Sequence, residues 1–383
     1  MGMEQLSSAM VALSPRARRA VALIALATVA IAATSTYYLR PWEMLRATST
    51  KATIALSSPR SQREWIEYAF LNSALGWAVI HSPTPSGDPG TYAVFKTADG
   101  AKHWEKRFEG RESQFGGPNL QFVDRSTGFV AVGDPLELRR TTDSGEHWTK
   151  LSVPTQDVAG FHFLDPRNGW LFTGSRGPHL FASHDGGVSW VEVNGLPADI
   201  GYLPQFRNLL EGWVGSSGGG PPHVYMTGDG GASWERHDLP AAPETGQAEQ
   251  YSTWVALIPE AGLMVSVYPE SSDASRPYSY TSLDGRSWTL FGGPSEPRDL
   301  SCCAFQDATH WWVVIGPDLY KTADRGDTWF HVDARLPENL YLMRVLDAKH
   351  AWGQSFSQQG YSDLFFTADG GVHWTMAKTP SRQ

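Results

Sequence analysis

Cysteine is nearly missing from this chain, because only Cys302 and Cys303 occur among 383 residues. Two adjacent cysteines provide neither a disulfide framework nor a four-cysteine metal site. Charged residues make up only 19% of the sequence, and the formal net charge is −9. That charge argues against a nucleic-acid partner, since neutralising phosphates requires a basic surface. Heptads and helical periodicity are also absent, which argues against a helical solenoid.

Aromatic residues and turn formers are abundant instead. The chain contains 16 Trp, 38 Gly and 25 Pro. Many aromatics among many turn formers are typical of an all-β protein with short strands.

The N-terminus differs from the rest of the chain. Residues 1–19 end in a basic segment with Arg16, Arg18 and Arg19, and residues 20–39 are uncharged and mostly apolar. Twenty residues in a helix would span about 30 Å, the thickness of a bilayer core. We therefore expect one hydrophobic helix, either a transmembrane signal anchor or a cleaved signal peptide. Both readings predict export of the chain beyond residue 45, with residues 40–64 as a linker.

An eight-residue phrase, here called the octet, recurs seven times. The last copy is "TADGGVHW" from Thr367, and the fifth, "SLDGRSW" from Ser282, is one residue short. The octet aspartates are Asp99, Asp143, Asp185, Asp229, Asp284, Asp324 and Asp369. The octet tryptophans are Trp104, Trp148, Trp190, Trp234, Trp288, Trp329 and Trp374.

A second phrase precedes every octet, as in "FVDRSTGFVAV" from Phe122 and "FLDPRNGWLF" from Phe163. Two-phrase units at intervals of 40 to 55 residues indicate a repeat architecture, and each unit contains four short strands. Seven small sheets bury both faces when they are arranged radially. The sequence thus predicts a seven-bladed β-propeller of four-stranded antiparallel blades over residues 65–383.

The octet suits the hairpin between the third and fourth strands of a blade. Its aspartate can accept backbone N–H bonds of its own turn, and its glycines permit positive φ. A carboxylate repeated seven times around a ring favours a structural role over catalysis. Asp124, Asp165, Asp307 and Asp347 share a slot in the second phrase and are interpreted as turn formers.

These units resemble the Asp-box, or BNR, repeats of sialidases, sortilin-type receptors and some glycoside hydrolases. The paired phrases look most like the photosystem II stability/assembly factor family and its bacterial relatives, over about residues 65 to 379. That resemblance implies a non-enzymatic propeller that binds a protein client and assists assembly or stability of a membrane complex. A glycoside hydrolase, sialidase-like or glycan-binding propeller is the alternative.

No motif predicts a catalytic residue, metal or cofactor. Antiparallel order places the octets and second phrases on one face of the ring, and the irregular insertions on the other. Variable loops on a rigid scaffold are common binding sites, so the insertion face is the predicted client site. The candidate contact residues there are Arg111, Arg176, His179, His223, Arg276, Tyr278 and Tyr361.

We expect a monomer that contacts the membrane through residues 20–39. With an anchor, the propeller would lie in the periplasm, a lumen or the extracellular space. With cleavage, it would be secreted.

Overall fold

The fold was analysed in a computed structural model of the chain. It describes residues 65–82, 90–112, 120–133, 136–155, 158–173, 177–240, 249–260, 262–270, 277–293, 303–356 and 362–381. Every named element in these ranges is a β-strand, and none of these residues belongs to a helix long and apolar enough to cross a membrane. The predicted helix at 20–39 and the linker at 40–64 lie outside the described residues.

The described residues form twenty-eight strands, which follow one another in seven groups of four. Blade 1 contains β1 (Trp65–Phe70), β2 (Gly76–Ser82), β3 (Gly90–Thr97) and β4 (Glu105–Glu112); blade 2 contains β5 (Leu120–Phe122), β6 (Gly128–Val132), β7 (Glu137–Thr141) and β8 (Thr149–Lys150); blade 3 contains β9 (Gly160–Phe163), β10 (Gly169–Thr173), β11 (His179–Ser183) and β12 (Val191–Val193); blade 4 contains β13 (Gln205–Phe206), β14 (Gly212–Gly215), β15 (His223–Thr227) and β16 (Glu235–Asp238). Blade 5 contains β17 (Tyr251–Ile258), β18 (Gly262–Pro269), β19 (Tyr278–Ser282) and β20 (Thr289–Leu290); blade 6 contains β21 (Cys303–Phe305), β22 (Trp311–Ile315), β23 (Asp318–Thr322) and β24 (Phe330–Val332); blade 7 contains β25 (Leu340–Val345), β26 (Ala351–Phe356), β27 (Ser362–Thr367) and β28 (Thr375–Met376).

Each group of four forms its own antiparallel sheet, with the strands in chain order. The predicted seven-bladed propeller of four-stranded blades is therefore confirmed. The same order places the β1–β2 turn and the β3–β4 octet at one end of blade 1, and the β2–β3 loop at the other. This arrangement recurs in every blade, so the octets share one face of the ring, the octet face, and the insertions share the opposite insertion face.

Neighbouring blades are joined by stacked aromatic rings. Trp77 of blade 1 stacks on Phe122 of blade 2, with ring centroids 3.3 Å apart. Trp170 of blade 3 stacks on Phe206 of blade 4 in the same way, at 3.8 Å. In blades 1 to 3, the aromatic residue that follows the glycine of the second phrase thus packs on the phenylalanine of the next blade's second phrase. Burial of these rings between sheets supplies much of the hydrophobic stabilisation.

The glycine of the second phrase makes room for that phenylalanine. Gly128 pairs with Phe122 across β5 and β6, and a Cβ added to Gly128 would lie 2.4 Å from the Phe122 ring. Blade 7 places Ala351 opposite Val345 at the same position. A larger residue is tolerated there because the partner side chain is smaller, which explains why the sequence pattern is weaker in that blade.

Candidate functional site

The octet aspartate is fully engaged by its own turn. In blade 1, the Thr97 hydroxyl and the backbone N–H groups of Lys102 and His103 all donate to Oδ1 of Asp99, at 3.0 to 3.1 Å. The backbone N–H of Ala101 donates in turn to the Thr97 hydroxyl. The fourth and fifth octet residues, Gly100 and Ala101, have φ of 73° and 62°. This positive φ is the reason that glycine dominates these two positions.

The seventh octet residue binds the other carboxylate oxygen. His103 Nδ1 lies 2.6 Å from Oδ2 of Asp99, and the Ser189 hydroxyl donates to Oδ2 of Asp185 at the same distance. Histidine, serine and threonine alternate at this position because each supplies a donor of suitable reach. No role was predicted for this position from the sequence, although its restriction to three donor residue types was a visible signal.

Hydrogen bonds from the seventh residue lower the pKa of every octet aspartate. The side chain of His103 is the largest cause for Asp99, whose pKa falls to about 2. These carboxylates are therefore ionised at neutral pH with both oxygens already accepting bonds. Such groups do not act as general acids.

The aspartates of the second phrase behave in the same way. Asp124 Oδ1 accepts the N–H groups of Ser126 and Thr127 at 2.7 and 2.6 Å. The turn also contacts its octet, because the backbone N–H of Ser144 donates to the carbonyl of Ser126 at 2.8 Å. The two sequence phrases of a blade are thus neighbours in space, and together they form the corner of one sheet.

The octet face is a repeated set of self-satisfied turns. Its polar groups serve the backbone, and among the residues that the structure describes no group of three or more His, Cys, Asp or Glu is placed to hold a metal ion. Cys303 is a half-buried residue of β21, and Cys302 lies outside the described residues.

The best-described part of the insertion face surrounds Asp199, between blades 3 and 4. Its carboxylate accepts the Tyr225 hydroxyl at 2.8 Å and lies 2.9 Å from His223 Nε2. His223 Nδ1 faces the Pro221 carbonyl at 2.8 Å. Both ring nitrogens of His223 therefore face oxygen atoms of this loop region. The backbone carbonyl of Asp199 also accepts the Ser217 N–H at 2.7 Å. Asp199 therefore anchors the glycine-rich loop 215–222.

The seven predicted contact residues have different environments. Arg111, at the insertion-face end of β4, and His179, at the start of β11, are exposed, and His179 Nδ1 lies 2.7 Å from Glu192. His223 and Tyr278 are buried, at 0% and 2% exposure, so neither offers its side chain to a partner. The remaining three lie outside the described residues: Arg176, Arg276 and Tyr361.

The structure therefore leaves Arg111 and His179 on separate blades and makes His223 part of a loop anchor. Sequence reasoning missed Asp199, because it belongs to neither repeated phrase and no motif marks it.

The ring and its turns define a seven-bladed propeller in which the repeated polar residues are structural. No protein-family model matches the chain, and no curated protein matches it. Its fold is similar to that of solved propellers. A structure described as YCF48 bound to D1 peptide is 17% identical, with a TM-score of 0.50, covering 85% of this chain and 94% of that chain.

Two other neighbours come from enzymes. The propeller domain of the trilobed protease from Pyrococcus furiosus, described as having an open velcro topology, is 9% identical, with a TM-score of 0.51 and coverage of 84% of this chain and 100% of that chain. The GH74 xyloglucanase from Xanthomonas campestris is 15% identical, with a TM-score of 0.49, and the match covers 80% of this chain and 59% of that chain. At these identities the similarities establish the fold alone.

Proposed function

We propose that this chain is an exported, non-enzymatic propeller that binds a protein client and assists assembly or stability of a membrane complex. The observation that carries the proposal is the commitment of the octet carboxylates to their own turns. All seven accept a hydroxyl and a backbone N–H of the octet. The polar residues that recur in the seven octets thus have a structural role.

A rigid ring with variable connections suits the binding of a polypeptide. A propeller of similar fold carries a peptide in the YCF48 complex, which makes a polypeptide client a reasonable class of partner for this chain. The basic segment before residue 20 and the apolar segment 20–39 support export, with the membrane as the place of action.

The insertion face is the proposed client surface. Arg111 and His179 are exposed there, and the anchored loop 215–222 adds a fixed edge. The octet face offers the same closed turn seven times, so it has little to distinguish one client from another.

Affinity capture from solubilised membranes of the source organism tests the proposal. The wild-type chain should recover one protein reproducibly, and Arg111→Glu combined with His179→Glu should lose it. Lys102→Glu combined with Arg125→Glu is the matched control, because both residues are exposed octet-face cations. Equal recovery by both variants would reject the insertion face as the binding surface. Recovery of saccharides alone would favour the glycan-binding alternative.

A further inference from the structure

A cavity of about 280 Å³ lies where the innermost strands of blades 7, 1 and 2 meet. Its walls include the apolar side chains of Ala69, Leu71, Leu120 and Met343. The lining also contains the polar residues Gln121 and Arg344. The volume is close to the lower end of ligand sites, about 300 Å³, so a small molecule or a single side chain would fill it.

Strand β25 has a β-bulge beside this cavity, next to Met343 and Arg344. The register of β25 against β26 shifts between Leu342 and Arg344. Successive residues of a regular strand point to opposite faces, whereas a bulge redirects one of them. No other innermost strand in the described ranges has such a shift.

Comparison of the seven repeats singles out Arg344. The residue that precedes the phenylalanine position of the second phrase is alanine in blades 1, 5 and 6, and an uncharged glutamine in blades 2 and 4. Blade 3 has His162 there, and burial lowers its pKa to about 4, so it is neutral at physiological pH. Arg344 is thus the only cation at this position of the ring at neutral pH.

The guanidinium of Arg344 is also uncompensated. Gln121 is occupied by the blade 3 backbone, because its amide donates to the Phe163 carbonyl and accepts the Phe163 N–H, both at 2.8 Å. Arg344 makes no hydrogen bond or ion pair within the described ranges, and the cavity lining contains no carboxylate. Neighbouring protein atoms partly desolvate Arg344 and lower its pKa, although the residue as a whole is exposed. Its unpaired guanidinium is therefore accessible to a ligand from solvent.

We propose that this cavity binds a carboxylate carried on a short apolar group, with Arg344 pairing the carboxylate and Ala69, Leu71 and Met343 contacting the apolar part. Guanidinium binds carboxylate with two parallel hydrogen bonds, and the apolar wall suits a chain of a few carbons. The carboxylate comes either from a free small acid or from a bound polypeptide. The site is formed by residues of the innermost strands of three blades, apart from the client surface proposed above, and does not depend on it.

The test uses the full-length protein with its Met343 methyl group labelled for NMR, the signal being assigned with Met343→Leu. Hexanoate is titrated against hexanamide, and an N-acetylated peptide ending in leucine is titrated as the free acid and as the amide. Arg344→Gln is compared with Lys349→Gln, an exposed cation of the same blade outside the cavity. Thermal midpoints of both variants are recorded in parallel.

A free-acid ligand would be supported if hexanoate, but not hexanamide, shifts the Met343 signal. The affinity for hexanoate should then fall at least tenfold in Arg344→Gln and stay unchanged in Lys349→Gln. A shift with the peptide acid alone, equally dependent on Arg344, would support a polypeptide source. Removal of an unpaired cation should leave the thermal midpoint unchanged or higher. The proposal is overturned by equal binding of acids and amides, by no binding of any acid, by binding that persists in Arg344→Gln, or by a lower midpoint in that variant. Because the probes are pure compounds, the outcome is separate from that of client capture.

Discussion

The rings of Phe70 and Trp352 stack with their centroids 3.8 Å apart and their planes 13° from parallel, although they belong to the first and last blades. The Gln354 amide also donates to the Ile66 carbonyl at 2.8 Å, and the Trp104 indole donates to the Lys378 carbonyl at 2.8 Å. The contact that joins consecutive blades thus also closes the ring. No described blade borrows a strand from another, so side-chain contacts hold blades 7 and 1 together.

Phe70→Ala should therefore destabilise the protein by about 3–5 kcal/mol, the usual cost of truncating a buried phenylalanine. Phe206→Ala, which removes the same contact from an internal pair of blades, should cost a similar amount. Urea unfolding with linear extrapolation measures both. A loss below about 1 kcal/mol for Phe70→Ala, with a full loss for Phe206→Ala, would mean that the ring does not depend on this closing contact.

Gly128→Ala should destabilise the protein by about 1–3 kcal/mol through overpacking against Phe122. Adding Phe122→Val to Gly128→Ala imitates the Val345 and Ala351 pair of blade 7 and should relieve part of the clash. A double-mutant cycle measures the coupling between the two positions. Strictly additive effects would show that Gly128 is required for a reason other than the phenylalanine ring.

The octet aspartates predict a loss of stability in acid. Their pKa values are lowered in the folded state, to about 2 for Asp99 and Asp369, whereas the ordinary value is 3.8. The unfolded chain therefore binds more protons in this window, and stability should fall as the pH drops from about 4 to about 2. Asp369→Asn should show a smaller fall than Asp333→Asn, a matched change outside the octets. Identical acid profiles for the two variants would contradict the structural role of the octet carboxylate.

Glu67 should give the folding stability the opposite dependence on pH. Burial raises the pKa of Glu67 to about 8, partly offset by a hydrogen bond from the Leu120 backbone, and its Oε2 is a buried atom without a hydrogen-bond partner. Because the folded state holds this proton more tightly, the stability contributed by Glu67 should fall as the pH rises from about 4.5 to about 8. Thermal midpoints of the wild type and Glu67→Gln should diverge over that range. Parallel curves would show that Glu67 ionises in the folded protein as it does in the unfolded chain.

Repetition is what made the fold predictable. The four short strands expected in each unit are all present, as Gly128–Val132 and Glu137–Thr141 illustrate in blade 2, because the two phrases and their turns recur in every unit. The anchoring of loop 215–222 by Asp199 and the bulge before Arg344 occur once each. Neither feature recurs in the other blades, so no repeated pattern marks it and the sequence could not reveal it.

Hydrogen–deuterium exchange of the complex with the captured client tests most directly whether the octets are scaffolding and the opposite face binds. Client binding should slow amide exchange in residues 215–222 and 177–179 and leave the octets at 97–104 and 367–374 unchanged. Protection confined to the octets, with free exchange across the insertion face, would contradict the proposed binding surface.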